Sequence, residues 1–203
     1  MGLSSIIPLA SQSVSILAFA LIGAGLKYID DAFDEGIFSK RIAMLIAPII
    51  VVIWVFLSIS DSISATLLFS ILFAVLLTGK VDNRVFKLSS IALISMLALT
   101  RMLHLLWIPL SILTMMGIVD EKGADYVENN KALKVGEFLF SHRCCMKIGV
   151  LGLCIFALLP WLYLFAFLAL DLSYELVGAY DKLSVENRRE KKSVILNLTN
   201  VDE

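Results

Sequence analysis

The chain has 203 residues, 59% of them hydrophobic and 17% charged, with a mean hydropathy of +0.89 and a formal net charge of −1. Soluble domains carry charge on about a quarter of their residues, so this composition excludes an ordinary water-soluble fold, and the near-neutral balance excludes a basic nucleic-acid binder. Three cysteines, Cys144, Cys145 and Cys154, are too few for a disulfide framework.

The first apolar segment covers about Val14 to Leu26, with a start as early as Ile6, because a 30 Å crossing needs about 20 helical residues. Met1 to Ser15 carries no Lys or Arg, so the segment is read as a retained span and not as a cleaved signal. Ala20, Gly23, Ala24 and Gly25 are small enough to admit a neighbouring helix closely. The segment runs into Lys27-Tyr28-Ile29-Asp30-Asp31-Ala32-Phe33-Asp34-Glu35-Gly36. If the helix continues, Asp31, Asp34 and Glu35 share one face and Asp30 stacks over Asp34. Each such like-charge pair costs about 0.2–0.5 kcal/mol, and a bound divalent cation converts the repulsion into ligation. A solvated acidic loop is the plainer alternative.

Ile42 to Leu57, containing Pro48, is the second expected span, and Ile63 to Thr78 the third, joined by a turn with no Lys or Arg around Asp61. Gly79-Lys80-Val81-Asp82-Asn83-Arg84 and Lys87 follow. Two cationic connections flanking a neutral turn place the acidic motif and Asp82 on the cytoplasmic face. The apolar run from Leu88 to Val119, interrupted by Arg101 and His104, reads as one long helix bent near Pro109, since either half alone is too short to cross. Arg101 and His104 then share a face inside the membrane, a functional candidate by default, with Asp61 as the available carboxylate partner. A polar connection over 120–147 includes an amphipathic stretch, Leu133 to Phe140, and His142-Arg143-Cys144-Cys145. Adjacent cysteines there suit S-palmitoylation, soft metal ligation or, most simply, unmodified thiols.

Ile148 to Leu170, broken by Pro160, is the last span and runs into Asp171-Leu172-Ser173-Tyr174-Glu175. A charged tail over 184–203 is expected to be mobile. The fold class is therefore an all-α polytopic membrane helix bundle over 1–183, with five transmembrane helices and six as the alternative. Both topologies put equal numbers of Lys and Arg inside, so the charge rule ties and span length favours five.

Under five spans Asp30, Asp31, Asp34 and Glu35, then Asp82 with Asn83, then Asp171, Tyr174 and Glu175 reach one face. Mg²⁺ prefers one or two carboxylates plus phosphate oxygens and water, so Asp31, Asp34, Glu35, Asp82, Asp171 and Glu175 are candidate ligands. Lys27, Arg84 and Lys87 are placed to hold phosphate oxygens. The literal Asp-Asp-x-x-Asp of Asp30, Asp31 and Asp34, with Asp171-x-x-x-Glu175 after a later helix, resembles the UbiA-type membrane prenyltransferases. That resemblance implies Mg²⁺, an isoprenoid or lipid diphosphate substrate, and Asp30, Asp31, Asp34, Asp171 and Glu175 as catalytic metal-binding residues; Asn83 and Tyr174, beside the acidic groups, are candidate substrate contacts. Two other functions fit the sequence: a small transporter using Arg101, His104 and Asp61, and a non-catalytic scaffold. No P-loop, Gly-x-Gly-x-x-Gly, His-Glu-x-x-His or Gly-x-Ser-x-Gly motif occurs.

Overall fold

The computed structural model describes residues 6–33, 36, 38–79, 84–100, 104–129 and 143–199. Among them the chain is all-α, with seven helices and no strand: α1 (Ile6–Phe33), α2 (Lys40–Ser60), α3 (Ser62–Thr78), α4 (Arg84–Thr100), α5 (Trp107–Asn129), α6 (Cys144–Ile155) and α7 (Trp161–Thr199). Three segments, Gln12–Phe33, Lys40–Ser60 and Trp161–Asp181, are long and apolar enough to cross a membrane. The expected amphipathic stretch, Leu133 to Phe140, lies outside the described residues.

The helix α3 is apolar all round and sits at the centre, with Ala65, Leu67, Leu68, Phe69, Ile71 and Leu72 all buried. Its hydroxyls are satisfied locally: Thr66 Oγ1 donates to the Ser62 carbonyl and Ser70 Oγ to that of Leu67, both at 2.7 Å. Asp61 caps its start by accepting from the Ser64 N–H at 2.6 Å, and Gly79, in the left-handed conformation, ends it.

The run expected as one helix over 88–119 is two. α4 ends at Thr100 and α5 begins at Trp107, with an exposed His104 in the break. His104, a polar residue that would be costly inside a membrane, instead falls in a reversal, and the Leu106 N–H at the new helix start donates to Thr66 Oγ1 at 3.0 Å. The last apolar run is also broken. α6 closes with the Leu158 N–H on the Leu153 carbonyl at 2.9 Å and Ala157 at φ +56°, and α7 restarts just after Pro160, which has no N–H to offer.

Each break adds one reversal, and contacts along the helices show the result. Ile29 and Ala32 pack on Ala43 and Ala47, so α1 and α2 are antiparallel. The spot above Gly117 is taken by Ala74 and Leu106 reaches Thr66, so α3 and α5 are parallel. Gly149 faces Leu113 and Met116 while Met146 bonds Asp120, so α5 and α6 are antiparallel. α1 and α7 run parallel and close: Ser173 Oγ donates to the Ala20 carbonyl at 2.7 Å, and Gly178 faces Lys27. The ends of α1, α3 and α5, the start of α6 and the middle of α7 therefore lie at one end of the bundle. Residues 120, 121, 143 and 147 share that end with Asp31 and Asp171, whereas the five-span reading puts them on opposite faces. α7 also continues unbroken to Thr199, through residues expected to form a mobile tail.

Exposed tryptophans and tyrosines mark two levels. Trp107 and Trp161 lie at the end away from the acidic motif, and Tyr126 and Tyr180 lie nineteen residues further along α5 and α7 respectively. At 1.5 Å per residue the levels are about 29 Å apart, the thickness of a bilayer hydrocarbon core.

A Cβ at Gly23 would collide with the Leu170 carbonyl oxygen, so only glycine permits the α1–α7 approach. Gly23→Val is expected to lower the thermal midpoint in detergent through a loss of at least about 1–3 kcal/mol. Ala157→Gly, which relieves a left-handed residue, is expected to raise it by up to about 1 kcal/mol.

Candidate functional site: a charged cluster at one end of the bundle

α1, α5, α6 and α7 converge on a cluster of ionisable side chains. The helix of α1 does continue through Asp30 and Asp31 to Phe33. Lys27 Nζ reaches Asp31 Oδ1 at 2.7 Å one turn ahead and lies 3.7 Å from Asp30 Oδ2. From α7, Tyr174 Oη donates to Asp30 Oδ2 at 3.3 Å, so the two acidic motifs meet although 144 residues separate these partners. The Tyr174 ring stands 5.3 Å from Lys27 Nζ and 4.9 Å from the Arg143 guanidinium, its π-system facing two cations.

Lys147, on the first turn of α6, lies between the second pair of acids, 2.5 Å from Asp171 Oδ2 and 3.3 Å from Glu175 Oε1. Asp171 and Glu175 face the same way because they are one helical turn apart. Arg143 donates to Glu121 Oε1 at 2.9 Å. Asp120, almost fully buried, accepts from the backbone N–H groups of Cys145 at 3.0 Å and Met146 at 2.7 Å. A carboxylate at a helix start satisfies orphan donors and complements the helix dipole, which explains how α6 can begin with its N-terminus inside the bundle. Asp181 is buried one level further along α7, close enough to Asp31 for their charges to interact.

The structure therefore brings together Lys27, Asp30, Asp31, Asp171, Tyr174 and Glu175. Lys87 is exposed on α4, a helix that packs against α2, and Arg84 opens that helix. Asp34, Glu35, Asp82, Asn83 and Arg101 lie outside the described residues. His104 lies at the opposite end, exposed in the break between α4 and α5. Asp61 is already committed as the cap of α3.

Sequence reasoning missed Asp120, Glu121, Arg143, Lys147 and Asp181. A usable signal existed for one of them: Asp171, Tyr174, Gly178 and Asp181 recur at helical spacing and form one stripe on α7. The cations on α6 gave none, because ion pairing between distant segments leaves no periodicity.

Asp31 Oδ2 is buried without a hydrogen-bond partner among the described residues. No three His, Cys, Asp or Glu side chains among the described residues converge closely enough to hold one metal ion. The chain matches no family model, no curated protein and no solved structure.

Lys147→Met leaves Asp171 and Glu175 facing each other in a poorly solvated place and is expected to cost about 3 kcal/mol. Lys147→Met combined with Asp171→Leu is expected to recover much of that loss. Thermal unfolding of both variants checks it, and equal losses in the single and double variants would contradict the pairing.

Proposed function

We propose that this is a multi-pass membrane protein whose charged cluster opens to the cytoplasm and holds the phosphate head of an isoprenoid or lipid diphosphate, with Mg²⁺ as cofactor and phosphoryl-ester ionisation or transfer as its activity. The observation that carries the reading is the meeting of the first acidic motif with the second, across Tyr174 Oη and Asp30 Oδ2 at 3.3 Å.

The orientation follows from charge. By connectivity, every Lys and Arg other than Arg101 belongs to a helix end, a connection or the α7 extension at the clustered end. That asymmetry supports reading this end as cytoplasmic. The depth follows from the aromatic levels: Asp171 lies ten residues, about 15 Å, from Trp161, so the cluster reaches roughly to mid-bilayer. Charged side chains at such depth pair with one another or line a water-filled recess. The half-length helix α6, about 18 Å long, starts beneath the cytoplasmic boundary and brings Arg143 and Lys147 to that depth.

The residues present fit a cation that takes one or two carboxylates and completes its shell with phosphate oxygens and water. Asp31, through its unpartnered Oδ2, and Asp171 or Glu175 would hold it from the two motifs. Bound there, Mg²⁺ supplies charge neutralisation to a departing diphosphate. Lys27, Lys147 and Arg143 present donors to phosphate oxygens, with Arg143 offering a planar fork. Tyr174 holds Asp30 and keeps the two motifs in register. The surrounding apolar helices shelter the hydrocarbon part of the substrate from water.

A non-catalytic scaffold is the second reading, favoured by one observation: Lys147 already lies between Asp171 and Glu175 and Lys27 beside Asp31, which makes the cluster a lock between α1, α6 and α7. The test uses Mn²⁺ as a paramagnetic probe with inorganic diphosphate. The proposed function expects diphosphate-dependent Mn²⁺ binding that falls at least about tenfold in Asp31→Asn and in Glu175→Gln while both variants remain folded. Absence of such binding in the wild-type protein removes the metal and phosphate reading and leaves the scaffold.

A further inference from the structure

On the other side of α1 from the cluster, α1 to α4 enclose an apolar cavity of about 80 Å³, lined by Leu26, Ile29, Ala47, Trp54, Ser90 and Leu93 among others. It extends along α2 from Ala47 to Trp54, about 10 Å. Trp54 is 5% exposed, and its indole Nε1–H has no hydrogen-bond partner among the described residues. One turn further on, Ser58 Oγ, on a side chain 1% exposed, also lacks a partner among the described residues. A buried donor left unmade costs about 1–3 kcal/mol, and two of them one turn apart on one helix are unusual.

We propose that this cavity is a binding site for one bilayer lipid, whose chain lies between Ala47 and Trp54 and whose linkage oxygen, ester or ether, accepts the Trp54 Nε1–H. Three observations identify the occupant. The outward residues beside the cavity, Ile49, Val52, Leu88 and Ile91, are exposed and apolar, so the surrounding medium is hydrocarbon and supplies the ligand. The lining is almost wholly apolar, which suits a chain and excludes a polar solute. The depth of the donor suits a lipid linkage: Trp54 is six residues, about 9 Å, from the end of α2 remote from the charged cluster, near the level where the linkages of the opposite leaflet sit. A plain hydrocarbon would fill the space but leave Nε1 unbonded. The site therefore selects a lipid of the non-cytoplasmic leaflet and wedges its chain between α2 and α4. The inference rests on the bilayer placement above and not on the phosphate or metal reading.

The test uses the full chain in nanodiscs with Trp107 and Trp161 changed to Phe, so that Trp54 is the remaining indole. Phosphatidylcholine with chains brominated near the linkage is titrated into unbrominated lipid. A specific site gives quenching that saturates at low mole fraction, and Ala47→Leu, which fills the lining, abolishes the saturable part. Native mass spectrometry of the otherwise wild-type protein is expected to show one retained lipid, with retention reduced about threefold or more in Trp54→Phe, the loss of one hydrogen bond. Ester- and ether-linked lipids serve as separate arms and both are expected to bind. Brominated alkane competing as well as either lipid would overturn the role of the linkage oxygen. Quenching that follows bulk mole fraction and is unchanged by Ala47→Leu would overturn the site itself. Circular dichroism of each variant confirms that it is folded, and a failed Ala47→Leu is replaced by Ser90→Leu.

Discussion

The ammonium of Lys147 between Asp171 and Glu175 is the constraint around which the bundle is arranged. Separating charge from water costs several kcal/mol per ion, and only close, well-aligned partners repay it. Those partners come from different helices, so the ion pairs fix how the helices meet: Lys147 holds α6 to α7, Tyr174 holds α7 to α1, and Arg143 and Asp120 hold the start of α6 to α5. Apolar packing along the helices tolerates sliding more readily than these pairs do, because dispersion is non-directional and hydrogen bonds are not.

The same arrangement explains why α6 is short. A helix that starts within the bundle needs its first N–H groups satisfied, and Asp120 does this with both carboxylate oxygens. The turn after Ile155 then returns the chain through Pro160 without crossing fully. Acids and cations from four helices gather around the start of α6, and the proposed function grows from this geometry.

Much of the architecture was legible in the sequence. Apolar runs give α1, α2 and α3, and Asp30 of the acidic stretch meets Tyr174 of α7. Of the two readings of that stretch, helix or solvated loop, Asp30 and Asp31 take the helical one. The two reversals were not legible. The sequence reading keeps His104 inside one span and Pro160 within another, whereas His104 lies between α4 and α5 and Pro160 between α6 and α7. Both reversals are needed to bring Arg143 and Lys147 to the acids. Period and composition report what a segment buries. They carry no record of which distant segment neutralises its charge.

The central claim is that Asp31, Asp120 and Asp171 share one end of the bundle. Substituted-cysteine labelling in sealed vesicles tests it most directly, with Cys144, Cys145 and Cys154 replaced and single cysteines placed at Ser39, Ser60 and Lys122. A membrane-impermeant maleimide is expected to label positions 39 and 122 from the same, cytoplasmic side and position 60 from the other. Labelling of position 122 together with position 60 would contradict the account.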